Sequence, residues 1–503
     1  MTAFVPSMDE LIAASDRHRR AVVSASVVAD GDTPLSLFAR LDADRGGAFL
    51  LESVEGGART GRWSFFGSGL EEGIRAGETG LLRYGPAGAH PLGASGSADP
   101  LPALRAFLAE REVYTSPELP PFSGGLVGFV AFDALARFER VPLAPPRAEP
   151  TPELELLWAE ELYAYDHATH RLHALARIDL ADLDREIARV RPALEARLAR
   201  LAEPVHLSPF SPIAADPAGL TVTESRERAD YEAAVRRAKQ AILEGEIFQV
   251  VISTRFSVQA AVAPLSLYRA LRASNPSPYM FLLKPPEGPT LVGASPEVLV
   301  RVQGGEVLVR PIAGTRRRGR TTAEDVALEQ ELGADEKERA EHTMLLDLGR
   351  NDVGRVARLG SVRVSAPMHV ERYAHVMHLV SDVHGELAPD KDAFDAFRAG
   401  FPAGTVSGAP KIRAIELLAE LEPDRRGVYA GAVGYFDCSG GMDTCIAIRT
   451  AVVHPDRVEV QAGAGIVHDS DPAREYEECR SKARSPLAAV ALATTAIDPR
   501  GGA

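Results

Sequence analysis

Residues 335–356 read DEKERAEHTMLLDLGRNDVGRV, and the spacing predicts one long helix. Ala340, Met344, Leu345, Leu348 and Val353 recur near the helical period as a core-facing stripe. Acids crowd the first turns, where the helix dipole favours them. Glu338 and Glu341 are three apart, so both carboxylates lie on one face. The same spacing recurs at Glu475 and Glu478 in DPAREYEECRSKA, residues 471–483. That stretch reads as a second helix opened by Asp471-Pro472, with Lys482 one turn beyond Glu478. Taken singly, each acidic pair is what surface helices carry as solvated ion pairs. Two such pairs on two helices can together hold a divalent metal. The turns between them, RPIAGT, HVMHLVS, FPAGTVSGAPK and QAGAGIVHDSD, have the mixed Gly-rich and apolar composition of a pocket wall.

The surrounding chain is long enough to build such a pocket. Its 503 residues are 45% hydrophobic and 25% charged, which is the balance of a globular protein with two domains or one large layered one. A net charge of -14, with no basic stripe beyond Arg316-Arg317-Arg318, argues against nucleic acid as a partner. No apolar run reaches the roughly 18 residues that span a bilayer, and the opening MTAFVPSMDELIAASDRHRR has no secretion-signal core. The expectation is a cytoplasmic chain without membrane contact. Cys438, Cys445 and Cys479 form no CxxC pair and no Gly-flanked nucleophile turn, so neither a disulfide framework, a zinc site nor a cysteine glutaminase is expected.

Short strand-like runs such as 48–53 and 124–130 alternate with Gly-rich turns up to about residue 200. An amphipathic helix over 181–201 follows, with Pro192 as an expected kink or break. The Pro-rich stretch after it reads as a linker. The division is therefore 1–205, linker 206–225 and 226–497. Beyond the linker, helices are expected at 230–246, 265–273 and 411–421. Strands are expected at 248–256, 306–309, 362–370, 428–437, 444–453 and 458–462. Long antiparallel neighbours without a βαβ rhythm indicate an α+β fold, a large layered β-sandwich with helices packed outside.

Seven motifs, in order, carry a resemblance. They are FQVVIS at 248–253, GASPE at 293–297, RPIAGT at 310–315, EHTMLLDLGRND at 341–352, HVMHLVS at 375–381, GTVSGAPK at 404–411 and GAGIVHDSDP at 463–472. In this order and spacing the chain resembles the chorismate-utilising enzymes, most closely the large subunits (component I) of anthranilate synthases, over nearly its whole length. Chorismate is a dianion, so its site needs cationic or metal charge and preorganised donors. The resemblance implies Mg2+ held directly by Glu341 and Glu478, with Glu338 and Glu475 acting through water. It implies Arg449, Lys482 and the backbone at Gly463 and Gly465 as a carboxylate cradle. Gly314, Thr315, Thr405 and Tyr429 are implied as further substrate contacts. Glu297 resembles the acid that protonates the departing ring hydroxyl, and His378 the residue that assists loss of pyruvate.

Two positions separate the chemistries of this family. Gln249 stands where the water-adding members carry lysine, and glutamine cannot act as a base. Ala313 stands where aminodeoxychorismate synthases commonly carry a lysine nucleophile. The resemblance thus implies conversion of chorismate and ammonia to anthranilate and pyruvate, the first committed step of tryptophan biosynthesis. Ammonia would come from glutamine through a separate amidotransferase small subunit (component II), in a heterotetramer. Glu52 and Ser53, with Asn275, Pro278, Tyr279 and Met280, resemble the segments enclosing tryptophan as feedback inhibitor, with Arg62 a further member. Two alternatives stay open: an aminodeoxychorismate synthase, and a non-catalytic homologue that binds chorismate or tryptophan.

Overall fold

The computed structural model describes residues 3–41, 46–54, 61–77, 80–92, 99–205, 207, 217–373 and 376–495. His375 of the HVMHLVS motif and residues 206 and 208–216 of the expected linker lie outside the described residues. Two large antiparallel sheets organise the chain, of thirteen and twelve strands among those residues. The first runs from Ala3–Val5 at one edge to Val222–Glu224 at the other, and the second from Ile312–Arg317 to Gly88–Pro91. Strands from before and after the linker pair within both. Ala48–Glu52 lies beside Tyr279–Lys284, with Glu52 opposite Met280, and Gly125–Val130 lies beside Ala432–Asp437.

The two-residue side-chain period of these strands explains the layering. Phe49, Phe65 and Phe281 of the first sheet share a buried cluster with Val127, Phe129 and Tyr435 of the second. Phe122 fills the middle, stacked on Tyr435 at 4.3 Å between ring centroids and edge-on to Phe65 at 5.5 Å. Their neighbours Leu50 and Phe66 point the other way, into the core shared with the helices. Phe66 stacks on Tyr163 there. The helix Leu183–Arg200 covers this outer face with Val190, Leu194 and Leu198, spaced four apart. It runs through Pro192 without ending. The proline is exposed, so the carbonyl it leaves unbonded can turn to water.

The opening stretch folds as the helix Glu336–Gly354, capped by Asp335, whose side chain accepts from the amides of Lys337 and Glu338. Its buried face differs from the expected stripe. His342, Leu345, Gly349, Asp352 and Val353 are buried, whereas Ala340 is exposed. The helix is rotated because polar groups anchor it: His342 Nε2 bonds Ser381 Oγ at 2.7 Å, and Lys411 Nζ donates to Asp352 at 3.2 Å.

A candidate active site at the sheet crossings

The strand expected over 444–453 is in fact two, and they belong to different sheets. Met442–Ile446 lies in the second sheet and Thr450–Val453 in the first. The chain changes sheets at Ala447–Arg449, where Arg449 takes a φ of 51°. A second crossing runs the opposite way: Thr290–Ser295 is in the first sheet, Val298–Gln303 in the second, and Glu297 stands between them. The crossings are tied back to back. Ile446 N–H donates to Glu297 O at 3.0 Å and Ala294 N–H to Arg449 O at 3.2 Å. Apolar alternation hides the corner at 447–449, which contains no glycine and resumes an apolar strand at once, whereas Pro296 marks the other.

A cavity of about 530 Å3 opens beside these corners. Glu297, His378, Thr405, Tyr429 and Arg449 line it, as do Gly314, Thr315, Gly463, Gly465 and Lys482. All four acids of the paired helices, Glu338, Glu341, Glu475 and Glu478, face the same space. The geometry therefore gathers every residue that the sequence assigned to catalysis, substrate or metal.

Several of these groups are poised by their surroundings. Burial pushes the Glu297 carboxyl above the ordinary range, against the opposing pull of Thr405, Arg449 and Lys482. Thr405 Oγ1 donates to Glu297 Oε2 at 3.1 Å. A buried carboxyl that holds its proton is suited to act as an acid. His378 Nδ1 lies 2.8 Å from Gly314 O and 3.1 Å from Thr315 Oγ1. Burial holds this imidazole below its usual pKa, which favours the neutral form. Arg449 is also held down by burial, and among the described residues its guanidinium makes no ion pair. Lys482 Nζ bridges Gly463 O at 3.1 Å and Glu478 Oε1 at 2.9 Å.

The glycines here follow from close approach. A Cβ at Gly463 would lie 2.7 Å from the Tyr429 hydroxyl and 2.9 Å from Ile252 O, and one at Gly465 would lie 2.7 Å from Gln249 Nε2. Gln249 is buried, and its Oε1 has no hydrogen-bond partner among the described residues. It is a buried acceptor without a donor, on a residue that lines the cavity.

Among the described residues, no three His, Cys, Asp or Glu side chains converge as a closed metal cage. The acids do feel one another: the Glu341 carboxyl is pushed up by burial and by the charges of Glu338 and Glu478, and that of Glu475 by burial and by Glu478. Lys482 offsets Glu478, and Arg316 offsets Glu338 at 3.0 Å. A spread set of oxygen donors with excess negative charge fits a hard divalent ion that keeps several waters, and does not fit zinc.

A second, smaller cavity of about 70 Å3 is lined by Glu52, Ser53, Pro278, Tyr279 and Met280, together with Trp63, Arg301 and Asp443. Asn275 is not part of its lining, because it ends the helix Pro264–Ser274 as its C-cap. Arg62 also stands apart, forked onto Asp166 at 2.8 and 3.1 Å. Glu52 is already engaged: Arg272 grips both carboxylate oxygens at 2.8 and 2.9 Å, and Tyr268 donates at 2.7 Å. Sequence reading did not pick out Trp63, Arg301 and Asp443 here, nor Lys337, Gln461 and Arg474 in the large cavity. Only Lys337 and Arg474 carried a signal, as neighbours of the paired acids.

Two antiparallel sheets with an acid and an unpaired arginine at their crossings, and a histidine on a facing strand of the second sheet, define an enzyme site for a small anion. The chain belongs to the chorismate-binding enzymes, whose family model matches residues 66–488. Within that family it groups with component 1 of anthranilate synthase. It is 46% identical to that protein of Mycolicibacterium smegmatis, over 98% of this chain and 95% of the relative. It is likewise 46% identical to the same component of Pseudomonas aeruginosa, over 96% and 98% of the two chains. Anthranilate synthase component I from Streptococcus pneumoniae superposes with a TM-score of 0.74 at 35% identity, over 92% of this chain and 99% of that one. The menaquinone-specific isochorismate synthase of Escherichia coli shares the fold, with a TM-score of 0.67 at 19% identity over 96% and 98% of the chains.

Proposed function

We propose that this chain converts chorismate and ammonia to anthranilate and pyruvate. The observation that carries the reading is the trio around one cavity: Glu297 at one sheet crossing, unpaired Arg449 at the other, and His378 with Nδ1 on the Gly314 carbonyl. In the first step the ammonia lone pair attacks the ring carbon between the carboxylate-bearing and ether-bearing carbons, both ring double bonds shift, and the ring hydroxyl leaves as water with the proton from Glu297, which a proton of the new ammonium then replaces. In the second, His378 Nε2 takes the proton from the aminated ring carbon. The ring becomes aromatic and the bond to the enolpyruvyl oxygen breaks, releasing pyruvate once its methylene carbon is protonated. Arg449 and Lys482 hold the enolpyruvyl carboxylate, with Tyr429 and the Gly463 backbone alongside. Gln249 Oε1 accepts a hydrogen bond from the incoming ammonia, which orients the nitrogen without removing a proton. Glu341 and Glu478 would hold Mg2+, with Glu338 and Glu475 through water, and the bound ion would supply positive charge for the ring carboxylate.

The nitrogen source is a separate glutaminase subunit, component II, in a heterotetramer. Burial pushes the Cys438 and Cys479 thiols up to about 12, and Cys445 higher still, so none supplies the thiolate that glutamine hydrolysis needs. The small cavity takes tryptophan as a feedback inhibitor. Its ammonium meets Ser53 and the remaining lone pair of Glu52, and Met280 and Pro278 face its ring. A cytoplasmic location suits these substrates.

The test is incubation of the purified chain with chorismate and Mg2+, following anthranilate fluorescence and pyruvate. Ammonium salts should support turnover and glutamine should not. Ser53→Phe should relieve tryptophan inhibition at an unchanged basal rate. An aminated product that keeps its enolpyruvyl group would overturn the reading.

A further inference from the structure

A third cavity, of about 200 Å3, lies away from both sites just described. It is far larger than the roughly 10–15 Å3 that one water requires. Pro146 and Pro150 are exposed at its rim, and Leu82 and Pro152 add apolar wall. Three arginines reach it, and two are spoken for. Arg75 pairs with Glu155 and Glu287. Arg147 donates to the carbonyls of Arg425 and Arg426 at 2.6 and 2.5 Å and to Gln461 Oε1 at 3.0 Å. Arg425 is the exception. Its Nε is buried without a hydrogen-bond partner, and its guanidinium makes no ion pair with a described carboxylate. A guanidinium that lines a cavity without a carboxylate partner leaves its remaining N–H donors for a ligand oxygen.

We propose that this cavity binds a small monocarboxylate with an apolar body, its carboxylate on Arg425 and its body against Leu82 and the prolines. A planar carboxylate matches the guanidinium fork. A dianionic phosphate fits less well, because the carboxylates of Asp133 and Glu153 also line the space. The site reaches toward the large cavity through the chain itself. Asp133 accepts from Gly427 N–H at 2.8 Å, and Tyr429, two residues on, lines the larger cavity.

The probe is 4-fluorobenzoate, titrated into the full chain and followed by fluorine NMR. The Arg449→Leu background removes the competing carboxylate cradle. One molecule should bind in that background. Arg425→Leu should weaken it at least tenfold, and Leu82→Trp, which fills the wall without touching the charge, should do the same. Anthranilate formation by the single variants Arg425→Leu and Leu82→Trp should stay at the wild-type rate, which separates failure of this site from failure of the chorismate reading. No binding in the Arg449→Leu background, binding untouched by both variants, or displacement by inorganic phosphate as readily as by benzoate would each overturn the proposal.

Discussion

His378 Nδ1 faces the carbonyl of Gly314 at 2.8 Å, and a carbonyl only accepts, so the ring proton sits on Nδ1 and Nε2 keeps its lone pair. That leaves Nε2 free to take up a proton, as the proposed role requires. His378→Ala should slow pyruvate release by about 10²–10⁴-fold while amination continues, and chromatography of the reaction should show the aminated, non-aromatic intermediate accumulating. Equal slowing of both steps would remove the assigned role. The role proposed for Glu297 has the opposite sense. Its burial-raised carboxyl donates only while protonated, so the rate, expressed per neutral ammonia, should fall as pH rises through that raised pKa. A stopped-flow pH series at fixed free ammonia checks this, and a rate that climbs throughout would exclude Glu297 as the acid. Both residue types were legible in the sequence as motif positions. Their protonation states were not, because these depend on a carbonyl 64 residues away in sequence and on burial.

Among the elements, the paired acidic helices were the most readable feature, since a three-residue spacing needs no tertiary knowledge to put two side chains on one face. The buried face of Glu336–Gly354 was less so: Ser381 and Lys411, partners of His342 and Asp352, decide its rotation and are distant in sequence. The sheet crossing at 447–449 was not legible, because one apolar strand and two collinear ones have the same pattern. The strand Arg457–Ile466 gives the sharpest test of element geometry. Gly463→Ala puts a methyl group against the Tyr429 hydroxyl and the backbone carbonyl of Ile252, and the carbonyl cannot swing aside as a side chain can. The variant should raise KM for chorismate and lower the thermal midpoint. Gly465→Ala meets only the end of Gln249 and should be milder. Steady-state kinetics and calorimetry on the pair check the order, and equal effects would contradict it.

At the scale of the whole molecule, Arg426 and Glu422 form a fully buried pair that ties three segments together. Arg426 donates to both Glu422 oxygens and to the carbonyls of Val406 and Val251, and Glu422 accepts from Ser253. Arg426→Leu leaves Glu422 buried without its counter-charge and should cost about 3–5 kcal/mol of unfolding free energy. Urea denaturation measures it. Burial raises the Glu422 pKa, but Arg426, helped by Arg226 and Ser253, outweighs this and holds the folded value below the ordinary one. The stability the pair confers is therefore present above the unfolded glutamate pKa and is lost as pH falls through the folded one. The pairing of Ala48–Glu52 with Tyr279–Lys284, and of Gly125–Val130 with Ala432–Asp437, bears on how the gene can be divided. A gene cut within 206–225 would encode two polypeptides, each carrying strand edges whose partners are on the other. Neither fragment should be recovered when expressed alone, whereas co-expression should restore growth of a tryptophan-requiring host. For the same reason, exchange of one half with a distant relative should fail unless the facing strands travel together.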